Sequence, residues 1–176
     1  TSDVEQVVAE SSAEIYVDCT TGDPGRVEAL ARALAAKGVA YVEAPLSGSS
    51  EAIRRGEASM FVGGDPSGCE DLLAAISSHR HAVGAVGMAA RAKLATNLVL
   101  GLTRAALAEV MAFAESLGIS RALFLDLVRG SPAASPAALA KGEKMVSGNF
   151  TPDSRIRQHL KDVRRMREYA QFDLPL

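Results

Sequence analysis

From Met88 to Leu117 the chain runs without a proline or a pair of adjacent glycines, and alanine and leucine dominate the stretch. Both are strong helix formers, so the segment predicts one helix of roughly 45 Å at the usual rise per residue. Gly84-Ala85-Val86-Gly87 supplies a glycine-bearing loop before it, and Gly118 supplies a stop after it. Lys93 and Asn97 stand four residues apart and so leave the helix on one face, among Leu94, Leu98, Val99 and Leu102. An amine and an amide there are either solvated surface groups or a general acid/base with its hydrogen-bonding partner. The helix pattern alone leaves both open.

Upstream of this helix the pattern alternates. Ser2–Glu10 reads as a short helix capped by Ser2 or Asp3, and Ile15-Tyr16-Val17 as a buried strand ending at Asp18. Asp23 and Pro24 open a helix that Gly38 closes. Val39–Glu43 and Ser59–Val62 are further strands, the second ended by Gly63-Gly64. Asp65-Pro66 predicts the start of a helix to about Ser78, and His81–Val83 a last strand. Strands separated by helices imply right-handed crossovers and a mostly parallel sheet. Loops after such strands carry ligand sites; Thr20–Pro24, Pro45–Ser50 and Gly84–Gly87 qualify.

Downstream everything reads as helix: one capped by Ser120, one ending near Val146, a turn at Gly148–Asp153, and an amphipathic helix over Ile156–Tyr169. The chain therefore divides into an α/β part, residues 1–86, and an all-helical part, 87–176, built on the long helix. A hydrophobic share of 48% is enough for the cores of one or two such parts. A net charge of −2 recruits neither nucleic acid nor an anionic membrane. Arg104, Glu109 and Glu115 argue against the long helix as a membrane span. Cys19, Cys69, His79, His81 and His159 have no metal-ligand spacing, and two distant cysteines suit a reducing, cytoplasmic setting.

A strand, a Gly-x-Gly-x-x-Gly turn and a helix would hold a dinucleotide pyrophosphate, but the sequence contains no such motif. Four other segments carry a resemblance. Val17-Asp18-Cys19-Thr20-Thr21-Gly22-Asp23-Pro24 resembles an Asp-x-Ser-Thr-x-x-Pro loop, and Glu43-Ala44-Pro45-Leu46-Ser47-Gly48-Ser49 resembles Asp-Ala-Pro-Val-Ser-Gly-Gly. Gly84–Asn97 resembles Gly-x-x-Gly-x-Gly-x-x-x-Lys-x-x-Asn-Asn. Phe150-Thr151-Pro152 with Arg155-Ile156 and His159-Leu160-Lys161-Asp162 resembles Phe-x-Pro-Gly-Phe-Arg-Ile…Lys-Asp-Leu. Together and in order, these are the motifs of the β-hydroxyacid dehydrogenases, which include 3-hydroxyisobutyrate dehydrogenase and tartronate semialdehyde reductase.

The resemblance implies the later portion of a Rossmann-like dinucleotide-binding domain followed by an all-helical domain, with NAD or NADP as cofactor. It also implies a piece: the first two βα units are missing, and Pro175-Leu176 precede the family's last helices. In the family's reaction a lysine handles the hydroxyl proton while hydride moves to or from a nicotinamide. Lys93 matches that lysine, a role that needs an amine whose pKa burial or dipoles pull toward neutrality. Asn97 matches its partner; Ser47, Gly48 and Ser49 match the loop that takes the substrate carboxylate; Thr21 and Lys161 match cofactor contacts. Thr96 and Ala89 depart from the pattern, the first losing an amide and the second shielding a backbone amide that a glycine leaves open. A 6-phosphogluconate dehydrogenase would want His-Asn where Thr96-Asn97 stand, and imine reductases generally replace the lysine. The rival expectation is a degenerate member serving as a dimerisation or scaffold module. The wide apolar arc of the long helix predicts a homodimer or homotetramer.

Overall fold

Asp23 accepts a hydrogen bond from the Arg26 N–H at 3.1 Å and Pro24 occupies the first turn, so α1 (Pro24–Ala35) begins where the sequence predicts. In this computed structural model, residues 12–152 and 156–174 are described. The helix predicted over Ser2–Glu10, the motif residue Arg155, the end of the Gly148–Asp153 turn and the terminal Pro175-Leu176 lie outside the described residues. The chain packs as two compact units, Thr1–Ala95 and Thr96–Leu176.

In the first unit, β1 (Ile15–Asp18) and β2 (Ala40–Glu43) pair in parallel, joined by α1. Their side chains alternate between faces, as the pleat requires. Tyr16 and Tyr41 stack on one face with ring centroids 5.8 Å apart, over Val27, Leu30 and Leu34 of α1. Val17 and Val42 point to the other face, into a core with Ala44, Met60, Val62, Cys69 and Leu73. Leu73 belongs to α3 (Glu70–Ile76), which starts later than predicted. Asp65 instead accepts from the Ser67 N–H (3.0 Å) and O–H (2.6 Å), and Gly68 follows at a φ of +85°. The aspartate side chain offers the backbone a turn in place of a helix start.

The mostly parallel sheet is corrected by the structure, because the sheet is mixed. β3 (Leu46–Ser47), in a segment predicted to be loop, and β4 (Ser59–Gly63) pair antiparallel, and β2 meets β4 antiparallel as well. The connecting α2 (Ser50–Arg54) has five residues, too few for the crossover that a parallel neighbour demands. Glu43↔Gly63, Leu46↔Met60 and Ser47↔Ser59 keep one register, so β2 and β3 are a single run past β4, interrupted where Pro45 lacks an N–H. The Pro45 carbonyl still accepts from Phe61 at 3.1 Å. β5 (His79–Gly84) lies parallel to β4 on its other edge.

α4 (Met88–Ser116) is the 29-residue helix expected from the sequence, and its first two turns belong to the first unit. The rest packs in the second unit with α5 (Arg121–Arg129), α6 (Pro136–Ser147) and α7 (Ile156–Tyr169). Ser120 and Ser135 cap α5 and α6 through the Leu123 and Ala138 N–H groups. Leu107 and Met111, one turn apart on α4, pack with Leu125 and Ala138. Gly142 lets α6 approach so closely that an added Cβ would run into Leu125, and Arg129 ties Asp126 to Glu143 on the surface. By length and composition alone α4 would also pass for a membrane span; Leu107, Met111 and Ala114 are buried in this helical core.

Candidate functional site

Strand register lines up four residues across the first unit's sheet: Asp18, Glu43, Gly63 and Gly84, at the carboxyl ends of β1, β2, β4 and β5. β1 and β2 run into this row from one side and β4 and β5, antiparallel to them, from the other, so four strand ends meet there. The buried Tyr41 hydroxyl donates to Asp18 Oδ2 at 2.7 Å, and the Thr20 N–H donates to Oδ1 at 2.8 Å. Burial first, and then the bond to Asp18, push the Tyr41 phenol far above its ordinary range, so it stays a donor. Beyond Thr20, Thr21 is half-buried and Gly22 lies against Val27 with no room for a Cβ, which folds the loop back toward α1.

Glu43 is 1% exposed. Its Oε2 accepts the N–H groups of Gly87 (2.8 Å) and Ala89 (3.2 Å), at the open end of α4. The N–H of Ala89, where the sequence departs from the motif, is itself engaged by Glu43. Gly63 makes room for the carboxylate: a Cβ there would stand 3.0 Å from Oε2 and 3.1 Å from the Ala85 carbonyl. Glu43 Oε1 is buried without a hydrogen-bond partner among the described residues. Burial raises the Glu43 pKa above the ordinary carboxylate value, against the lowering pull of the backbone N–H groups, with the Asp18 charge adding to the rise.

A carboxyl whose folded-state pKa exceeds its unfolded one favours folding below the unfolded value and loses that contribution as pH rises through the folded pKa. Wild-type stability relative to Glu43→Gln should therefore be greatest near pH 4 and fall as pH rises from about 4.5. Urea unfolding across this range checks it; a difference that grows with pH would reverse the sign.

Ser47 sits in β3, paired with Ser59 at the start of β4, so the predicted carboxylate loop is partly strand. It lies four residues beyond Glu43, roughly 13 Å along an extended strand from the Asp18–Gly84 row. Gly48 packs on Ala58 and Ala52. Ser49 has a φ of −73° and accepts from the Ala52 N–H at 3.1 Å, so its Cβ brings no strain and its O–H is left to donate. Lys93, in the second turn of α4, is 8% exposed, which removes the reading of a solvated surface amine.

In the second unit the half-buried Asn97 donates to Asp162 Oδ2 at 3.0 Å, and Lys161 Nζ lies 3.6 Å from Asp162 Oδ1. Asp162 thus joins two residues that the sequence singled out separately. A turn beyond Asn97, Gly101 faces His159, whose Nε2 would stand 3.0 Å from a Cβ at that position. Glu43 and Asp162 are the two residues that sequence reasoning missed; both stand inside matched motifs, and only their partners were invisible. Asp162→Ala should cost the second unit about 1.5–3 kcal/mol, the worth of a hydrogen bond to a charged group. Chemical denaturation reads it, and an unchanged midpoint would make the contact idle.

Residues 87–175 match the family model described as the NAD-binding domain of NADP-dependent 3-hydroxyisobutyrate dehydrogenase. Residues 2–87 match the NAD-binding domain of 6-phosphogluconate dehydrogenase. The chain belongs to the β-hydroxyacid dehydrogenase family. Among solved structures, the 3-hydroxyisobutyrate dehydrogenase of Salmonella typhimurium shares the fold with a TM-score of 0.88 at 24% identity, over 99% of this chain and 66% of that one. The structure described as Psf3 in complex with NADP+ and 2-OPP aligns with a TM-score of 0.82 at 26% identity, over 93% of this chain and 59% of that one. Among curated proteins, the cytokine-like nuclear factor N-PAC of Xenopus tropicalis is 33% identical over 152 residues, 85% of this chain but 28% of its own length. The chain thus spans less than two thirds of each of these relatives.

NAD or NADP is the cofactor that the family implies.

Proposed function

We propose that the protein is an NAD(P)-dependent oxidoreductase of a small β-hydroxyacid or its semialdehyde, with Lys93 as the general acid/base. The observation that carries this reading is the burial of Lys93 in the second turn of α4, inside a family whose motif has a lysine there. A lysine in open water is a fixed cation, whereas a buried amine can give and take a proton near neutral pH. The nicotinamide, when bound, supplies the hydride acceptor or donor. During oxidation the Lys93 amine takes the hydroxyl proton as the carbonyl forms, and in reduction it returns that proton to the oxygen. Asn97, held by Asp162, orients the reacting oxygen; Ser47, Gly48 and the Ser49 O–H receive the carboxylate; Thr21 and Lys161 contact the cofactor.

Absorbance at the reduced-nicotinamide band, with NADH or NADPH and a series of small semialdehyde acids, tests this. Turnover of at least one substrate is expected; no oxidation across the series by a protein that binds the cofactor would sink it. The N-PAC relatives favour a second reading, a non-catalytic module, because their printed name is that of a nuclear factor. That name also does not fit an assignment to the cytoplasm alone. Calorimetry with both nucleotides separates the readings: absence of binding leaves only the module. Val99, Phe113 and Leu117, each more than 60% exposed, offer a second copy an apolar surface, and light scattering that finds a monomer would count against the expected homodimer or homotetramer.

A further inference from the structure

We propose that Glu43 is a positioning residue for Lys93, holding the first turns of α4 through the Gly87 and Ala89 N–H groups. The inference rests on the proposed role of Lys93, but its geometry is independent of any ligand. A helix N-terminus leaves its first N–H groups without partners, and ordinarily the residue just before the helix caps them. Here that residue is Gly87, which has no side chain and sits at a φ of +90°. The cap comes instead from β2, 44 residues away in sequence, through a single carboxylate oxygen shared by two amides. Ala89 is one helical turn before Lys93, so the held amide and the lysine lie on the same face of α4. β2 is itself fixed by pairing with β1 and β4. The sheet thereby sets both the rotation and the axial position of the turn that carries the amine.

The place is built for this purpose. Gly63 leaves the carboxylate its space, and Ala89 closes over it with no exposed surface. A group 1 Å out of place is enough to cost a hundredfold in rate, which makes a distant holding contact matter to the chemistry.

Two variants of the full-length protein separate holding from charge and from bulk. Glu43→Met keeps volume but removes the acceptor; Glu43→Gln keeps an acceptor oxygen but removes the charge. With Glu43→Met, kcat should fall ten- to a hundredfold with KM within threefold, and the NMR titration midpoint of 13C-labelled Lys93 should move. Glu43→Gln should restore both to near wild type. Wild-type kcat and Lys93 titration in Glu43→Met would make the contact merely structural, and a Gln variant as damaged as the Met variant would assign the effect to charge; either overturns the proposal. If Glu43→Met does not fold, hydrogen exchange in the wild type decides. The Gly87 and Ala89 amides should exchange at least tenfold more slowly than in an unstructured chain, and unprotected amides would overturn it. Failure of the oxidoreductase reading shows separately, as absence of wild-type turnover, while amide protection and the Lys93 titration still report on positioning.

Discussion

Lys93→Met should lower kcat by about 10²–10⁴, the range that a positioned general acid/base contributes. Methionine is the informative substitution because Lys93 is buried: alanine would leave a cavity and mix a packing defect into the kinetic loss. Methionine keeps an unbranched stem of nearly the same length, with sulfur for one methylene, and removes the proton-carrying nitrogen. If the amine acts only in the transition state, kcat and kcat/KM fall together and KM stays near its original value. Lys93→Arg should be nearly as damaging, since a guanidinium stays protonated at working pH. Steady-state kinetics with one reduced nicotinamide and one small semialdehyde acid measures all of this. Undiminished kcat in Lys93→Met would remove the lysine from the mechanism.

The largest effect on stability is expected at Met60→Ala. Met60 is fully buried in the central strand, with Leu46 beside it on β3 and Arg80 on β5. Its side chain packs in the core with Val42, Val62 and Leu73. Truncating a buried methionine to alanine costs about 2–5 kcal/mol, from lost transfer energy and the cavity left behind. For a unit of this size each kcal/mol lowers Tm by roughly 4–8 °C. Calorimetry should resolve the loss in the transition of the first unit, and a drop of under about 1 kcal/mol would mean that the site collapses freely.

Local signals carried most of the fold. Asp23 with Pro24, and Ser120, announce helix starts through their own side chains, and the structure uses both of them that way. The long helix was equally readable, because nothing in Met88–Ser116 interrupts it. What stayed hidden was pairing. A two-residue strand at Leu46–Ser47 has no period to detect, and Pro45 disguises its continuity with β2. The late start of α3 turned on whether the Asp65 side chain would cap a helix or close a turn, a choice between two local bonds of similar strength. The same limit governed the candidate site. Lys93 and Asn97 came from motif spacing, but Glu43 reaches Gly87 across 44 residues and Asn97 reaches Asp162 across 65. Contacts at that range are a product of the fold and leave no spacing in the sequence.

The unbroken register from Glu43 through Pro45 to Ser47 limits how this segment can vary in length. Deleting one residue between Glu43 and Ser47 would turn the serine to the opposite side of the sheet. Deleting two would restore its side but draw it about 7 Å along β4. Relatives that preserve the same chemistry at both positions should therefore keep the intervening segment at constant length, and accept insertions only past Ser49, where the ladder has ended.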